Sequence, residues 1–204
     1  QRQMCIRDRL NNDTSLNLWG AATMVVTGLQ GDLDANPTLS INDTFSSASG
    51  WSGGLIDSSS AYYGSFLGRY AKNTVTQFNG QDTYKTFTHN SQPTTVSFDV
   101  TKFDSWDGEK FSAYINDVEA FSTTFTTAAI TDRSGSTGNF TWTIASRDSS
   151  ANHGFAGWED QTATVTINLP GGYSGFKLGF GSTLNQDIND ESYGIDNVKI
   201  PVVQ

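Results

Sequence analysis

Val96-Ser97-Phe98-Asp99-Val100-Thr101-Lys102-Phe103-Asp104-Ser105-Trp106-Asp107-Gly108-Glu109-Lys110-Phe111-Ser112-Ala113-Tyr114-Ile115 is the stretch that decides the fold. Val96, Phe98 and Val100 alternate with Ser97, Asp99 and Thr101, so one face of this segment is apolar and the other polar, as in a half-buried strand. Phe111, Ala113 and Ile115 repeat the period. Asp104 to Glu109 lies between the two runs as an acidic loop, with three carboxylates around one tryptophan. Two alternating runs joined by a polar loop predict neighbouring antiparallel strands.

The same pattern continues outward. Asn116-Asp117 supplies a turn before Val118 to Phe121. Phe140, Trp142 and Ile144 alternate, as do Ala163, Val165, Ile167 and Leu169, then Phe176, Leu178 and Phe180, with Pro170-Gly171-Gly172 as the break. About ten such strands with no helical periodicity predict an all-β, two-sheet antiparallel β-sandwich of the jelly-roll kind. Phe98, Phe111, Phe140, Trp142 and Phe180 are expected in its core. Trp106 and Trp158 sit instead in polar loops beside carboxylates, where periodicity gives no reason to face inward. These two are candidates for exposure and contact with a partner.

The chain has 204 residues, of which thirteen are Phe, seven Tyr and five Trp. Its net charge is −9, and three of its twelve basic residues, Arg2, Arg7 and Arg9, fall in the first nine positions. An acidic remainder excludes a nucleic-acid backbone as the expected partner, since phosphate binding needs clustered Lys and Arg. It fits cation binding and an exported, soluble surface. Cys5 is the sole cysteine, so no intrachain disulfide forms. No run of eighteen apolar residues predicts a membrane span, and no signal peptide is visible. Residues 1–9 differ in composition from the rest and read as a non-native remnant. Residues 10–40 read as a lead-in and linker with one strand, Ala22 to Thr27, and residues 41–204 as the sandwich module.

Catalytic patterns are absent. Glycoside hydrolysis requires opposed carboxyl groups, yet the four Glu residues lie in no strand-borne pair of that kind. His89 and His153 are isolated, and there is no Gly-x-Ser-x-Gly elbow or phosphate loop. What remains is a hard cation. Asp104, Asp107 and Glu109, with Gly108 letting the loop fold back, form one oxygen-rich cluster, and Asp190, Glu191 and Asp196 form another. An inward Asp196 between Ile195 and Val198 would be costly unless paired or metal-bound. Ca²⁺ is therefore the expected ion, and the bland alternative is two solvated acidic turns.

Asn42-Asp43-Thr44-Phe45 through Gly50-Trp51, with Tyr193-Gly194-Ile195-Asp196-Asn197-Val198, resembles the opening and closing strands of jelly-roll carbohydrate-binding modules. The resemblance implies a structural calcium shared by Asp196 and the first strand, with Asp43 as the looser match. Phe66-Leu67-Gly68-Arg69-Tyr70, Phe103 to Glu109, Gly181 to Gln186 and Asp190 to Asp196 together resemble a sandwich module of large calcium-dependent bacterial surface adhesins. Tyr193 departs from that pattern, where related segments often carry Trp, which implies a smaller aromatic platform. The expectation is a non-catalytic, secreted or cell-surface module of a longer multidomain chain, binding an extracellular glycan or peptide. Arg69, Trp106 and Trp158 are the expected ligand contacts. A carbohydrate-binding module of a polysaccharide-degrading enzyme and a structural spacer are the rival expectations.

Overall fold

A computed structural model describes residues 15–18, 22–25, 39–155 and 157–202. In the lead-in, strands β1 (Ser15–Leu18) and β2 (Ala22–Val25) pair antiparallel as a two-stranded sheet of their own. The expected strand at Ala22 is β2, and the remnant at 1–9 lies outside the described residues.

The remaining strands form two antiparallel sheets. They are β3 (Leu39–Asp43), β4 (Ile56–Ser60), β5 (Gly64–Tyr70), β6 (Thr83–Thr88), β7 (Thr94–Asp104), β8 (Asp107–Ile115), β9 (Val118–Thr126), β10 (Arg133–Thr137), β11 (Phe140–Ser146), β12 (Gln161–Leu169), β13 (Gly175–Ser182) and β14 (Glu191–Val202). Eight strands build one sheet in the order β10-β11-β12-β7-β14-β5-β4, with β3 pairing β14 beside β5. Four build the other, in the order β6-β13-β8-β9. The all-β, two-sheet reading of the sequence is what the chain adopts.

Alternation places the core. Val96, Phe98 and Val100 of β7, Val165 and Ile167 of β12, and Ile195 of β14 face Phe111 of β8 and Leu178 and Phe180 of β13, all buried in one cluster. Phe98 meets Phe180 edge-on across the gap, ring centroids 4.7 Å apart. Each fully buried side chain of this size contributes roughly 1.5–3 kcal/mol of transfer free energy, which is what holds the two sheets together. Trp142 is only partly buried but packs edge-on against Phe121 at 5.1 Å.

Trp106 is a correction to the sequence reading. It is fully buried, its indole N–H donates to the Ser192 carbonyl at 2.9 Å, and its ring packs edge-on against Phe125 at 5.3 Å. The cause is topological. β7 belongs to one sheet and β8 to the other, so Ser105-Trp106 must cross between layers about 10 Å apart, and the tryptophan plugs that end of the core. Tyr193 likewise forms no surface platform, because it is fully buried and donates its hydroxyl to Asp82 at 2.7 Å.

Asp196 departs from expectation through a β-bulge. The β14–β7 register shifts between Asp196 and Lys199, and Asn197 takes a positive φ of 51°. The extra residue reverses the phase of the strand, as bulges do. Ile195 and Val198 both face the core, while Asp196 and Asn197 stay half-buried on the outer face of the large sheet. The carboxylate expected to point inward points outward.

Candidate cation cluster and binding trough

Two links between the sheets run side by side at one end of the sandwich. The β7–β8 link is Ser105-Trp106, and the β13–β14 link is residues 183–190. Ser105 donates its amide to the Asp190 carbonyl at 3.1 Å and its hydroxyl to Asp190 Oδ1 at 2.7 Å, while Thr183 donates its amide to the Lys110 carbonyl at 2.9 Å. This zippering draws together Asp107 and Glu109 of β8 and Glu191 of β14. One carboxylate oxygen from each lies within 4.8 Å of the others.

Glu191 is fully buried and Glu109 nearly so, while Asp107 faces solvent. Glu191 Oε1 accepts the amides of Asn185 and Gln186 at 2.9 and 3.0 Å, but Glu191 Oε2 has no hydrogen-bond donor among the described residues. Glu109 accepts the Asp107 amide at 2.9 Å on Oε2 and the Asn185 side-chain amide at 2.9 Å on Oε1. Burial, and the neighbouring Glu109 charge after it, push the Glu191 carboxyl above the usual range. Burial opposes ionisation of Glu109 too, but the hydrogen bonds it accepts outweigh this and lower its pKa. A buried carboxylate that keeps an oxygen without a donor among the described residues, clustered with two further carboxylates, is the chemistry of a hard-cation site.

The structure thus joins Asp107, Glu109 and Glu191 from the two acidic runs, with Asp190 at the edge bonded to Ser105 and to the Gln186 side chain at 2.8 Å. The other predicted ligands lie elsewhere. Asp43 Oδ2 accepts from Lys85 Nζ at 3.0 Å and from the Trp51 indole at 2.9 Å. Asp104 is buried beside Asp160, which accepts the Asp104 amide on Oδ1 at 3.2 Å, and Asp104 Oδ1 accepts the Trp158 amide at 3.3 Å. Burial raises the Asp104 pKa to about 6.

The outer face of the large sheet carries a second feature. The β4–β5 turn and the β11–β12 loop fold over this face, and Tyr63, Phe66, Phe103 and Phe155 pack beneath them as a separate apolar cluster. Gly194 makes room for it, since a Cβ there would stand 2.4 Å from the Phe66 ring. Arg69 is part of this assembly. Its guanidinium lies 4.3 Å from the Phe155 ring centre, and its Nε is 3.4 Å from Asp57 Oδ2, within ion-pair range but not aligned as a hydrogen bond. The side chain is 12% exposed, so the fork expected to grip a ligand is largely occupied inside the fold. Trp158 is 58% exposed, as the sequence suggested.

Beside that cluster opens a trough of about 360 Å³. Asp99, Thr101 and Thr162, with Asp196 and Asn197 at the bulge, line it from the strands, and Tyr62, Tyr63, Arg147 and Asp148 line it from the covering segments. Asp99 organises the strand side. Its Oδ1 accepts from Thr164 at 2.6 Å, and its Oδ2 accepts from Arg147 and from the Asn197 side-chain amide, the latter at 2.8 Å. Among the described residues Asp196 accepts from Asn197 alone, at 2.7 Å from the amide and 3.2 Å from the side chain. Burial, then the Asp99 charge, raise the Asp196 pKa to about 6. Tyr62 stacks one face on His153, centroids 3.7 Å apart, yet is 56% exposed. Sequence reasoning missed this site. The adjacent aromatics Tyr62-Tyr63 inside a Ser- and Gly-rich turn were the one local signal for it.

No protein-family model matches the chain, and no curated protein matches it. Among solved structures it is similar to CBM35, a carbohydrate-binding module, from Cellvibrio japonicus, with 12% sequence identity and a TM-score of 0.39. That likeness covers 79% of this chain and 92% of the other.

Proposed function

We propose that this chain is a non-catalytic binding module of the jelly-roll kind that takes a carbohydrate in the outer-face trough and holds a structural Ca²⁺ at Asp107, Glu109 and Glu191. The observation that carries the reading is the trough itself. Its size falls in the range of small-ligand sites. It sets an exposed tyrosine ring beside fixed carboxylate, amide and guanidinium groups, the combination that covers a sugar's C–H face while bonding paired hydroxyls. Both oxygens of Asp99 are engaged by Thr164, Arg147 and Asn197, so it serves as a framework group and not as a free acid or base.

Calcium would be held by the three clustered carboxylates, and the unpartnered Glu191 Oε2 is the atom that most needs it. An acidic chain stapled by an ion suits a secreted or cell-surface adhesin assembled from many modules, and the same module attached to a polysaccharide-degrading enzyme would look alike. Burial of Trp106 favours the spacer reading on that one point, whereas the trough disfavours it.

The test is a glycan and peptide array with calcium and with EDTA, followed by calorimetry on the best ligand with Tyr62→Ala and Asn197→Gly, the latter chosen because glycine tolerates the positive φ of the bulge. Glycan binding lost in both variants, with melting temperature kept, is the expected result. Blank arrays for a folded, calcium-loaded protein would refute carbohydrate binding, and peptide hits alone would reassign the trough.

A further inference from the structure

The charges of the trough are unbalanced. Among the described residues Asp99, Asp148 and Asp196 line it against one cation, Arg147. Arg147 is already bonded to Asp99, so its charge is largely neutralised before any ligand arrives. Asp148 Oδ1 accepts the Thr162 amide at 2.8 Å, and the Thr101 and Thr162 hydroxyls bond to each other at 2.9 Å. The lining therefore offers acceptors in excess. A uronate or sulfated sugar would meet like charge here, and like charge across a partly desolvated contact is strongly rejected.

Asp196 is the group most in need of a partner. Among the described residues its two oxygens receive hydrogen bonds only from the next residue of its own strand. Around it stand Asp99 from β7, Asp43 from β3 and Arg147 from the covering loop, and burial and the nearby Asp99 and Asp43 charges raise its pKa against the lowering influence of Arg147. Tyr62 lines the same trough, stacked on His153 and edge-on to Tyr63 yet still 56% exposed, so much of its ring is available to a ligand.

We propose that the trough recognises an amine-bearing glycan, with Asp196 pairing the ammonium of an unacetylated hexosamine, Asn197 and Arg147 bonding its hydroxyls, and Tyr62 covering its ring face. This rests on the carbohydrate reading above and narrows it to a ligand class. An ammonium supplies the positive charge that the lining lacks, and the sugar ring supplies the surface that Tyr62 needs.

The experiment is calorimetric titration of the calcium-loaded protein with four matched short oligomers: glucosamine, N-acetylglucosamine, neutral glucose and galacturonate. It is run at a pH where the amine is protonated, with tetralysine as an electrostatic control. The glucosamine oligomer should bind about tenfold tighter than its acetylated counterpart, as one partly desolvated ion pair implies. Asp196→Asn should erase that ratio while the melting temperature shows the fold intact. Equal or tighter binding of the neutral or acidic oligomers overturns the inference and leaves the carbohydrate reading standing. Tetralysine binding as well as the glucosamine oligomer, with no effect of Tyr62→Ala, also overturns it, because bulk attraction to an acidic protein would then suffice. No binding by any sugar refutes the carbohydrate reading itself.

Discussion

Replacing Glu191 by Gln separates a cation ligand from a merely structural carboxylate. Gln keeps the oxygen that accepts the Asn185 and Gln186 amides and puts an amide N–H where Oε2 now has no partner, with the Glu109 carboxylate close enough to receive it. In EDTA the variant should be more stable than the parent by about 1–3 kcal/mol, the usual cost of an unsatisfied buried polar atom. Calcium should reverse the order. A single ion at a hundred times its Kd stabilises the parent by about 2.7 kcal/mol, which for a domain of this size moves Tm up by about 5–10 °C. The variant, with one of three carboxylates lost, should gain little. Because the ion competes with protons for Glu191, whose pKa lies above the usual carboxylate range, the calcium shift should also grow as pH rises through and above that range. The assay is differential scanning calorimetry of both proteins with EDTA and across a calcium series. If calcium left the parent's Tm unchanged, or if Glu191→Gln were destabilised equally in both conditions, the cluster would be a hydrogen-bonded turn and the cation reading would fail.

Asp104, buried and with a folded pKa of about 6 against 3.8 normally, binds more protons native than unfolded between those values, so its contribution is complete below about pH 4 and is lost as pH rises through 6. A shift of that size corresponds to at most about 3 kcal/mol, and Asp104→Asn should recover part of it at pH 7 and flatten the pH profile of chemical denaturation. Trp106→Ala should cost about 3–5 kcal/mol in urea melts, whereas Trp158→Ala, at an exposed site, should stay within about 0.5 kcal/mol. Gly194→Ala drives a methyl into the Phe66 ring and should cost about 1–3 kcal/mol, with loss of ligand binding because the covering segments rest on that ring.

The period-two alternation of Val96 to Val100, of Phe111 to Ile115 and of Ala163 to Leu169 was enough to read β7, β8 and β12 and to sort their inner from their outer faces. Connectivity was not legible at that level. Nothing local says that β7 and β8 belong to different sheets, and for that reason Trp106 looked like a surface residue. The bulge at Asn197 was equally hidden, since one extra residue changes no composition yet puts Asp196 and Asn197 together on the trough side between the inward Ile195 and Val198. Of the two acidic runs, Asp107, Glu109 and Glu191 converge because parallel inter-sheet links carry them. Asp43 and Asp104 do not, because each meets other groups first, Lys85 and Trp51 in one case and Asp160 in the other. The trough needs five segments distant in sequence, so only the Tyr62-Tyr63 pair hinted at it.

β7 and β14, central in the large sheet, carry like charges at two directly opposed positions: Asp99 opposite Asp196, and Asp104 opposite Glu191. Such cross-strand pairs are destabilising, and Thr or Val at any of the four positions would suit a sheet better. Arg147 offsets the first pair only partly, since Asp196 keeps a raised pKa, and among the described residues Glu191 is left with an oxygen that nothing bonds. A domain serving only as a spacer gains nothing from either arrangement. A domain that binds gains from both, because an ion at Glu191 and a donor-rich ligand at Asp196 would each supply the positive charge that its strand pair lacks. The same two strands would then be stabilised at both places by what the protein binds.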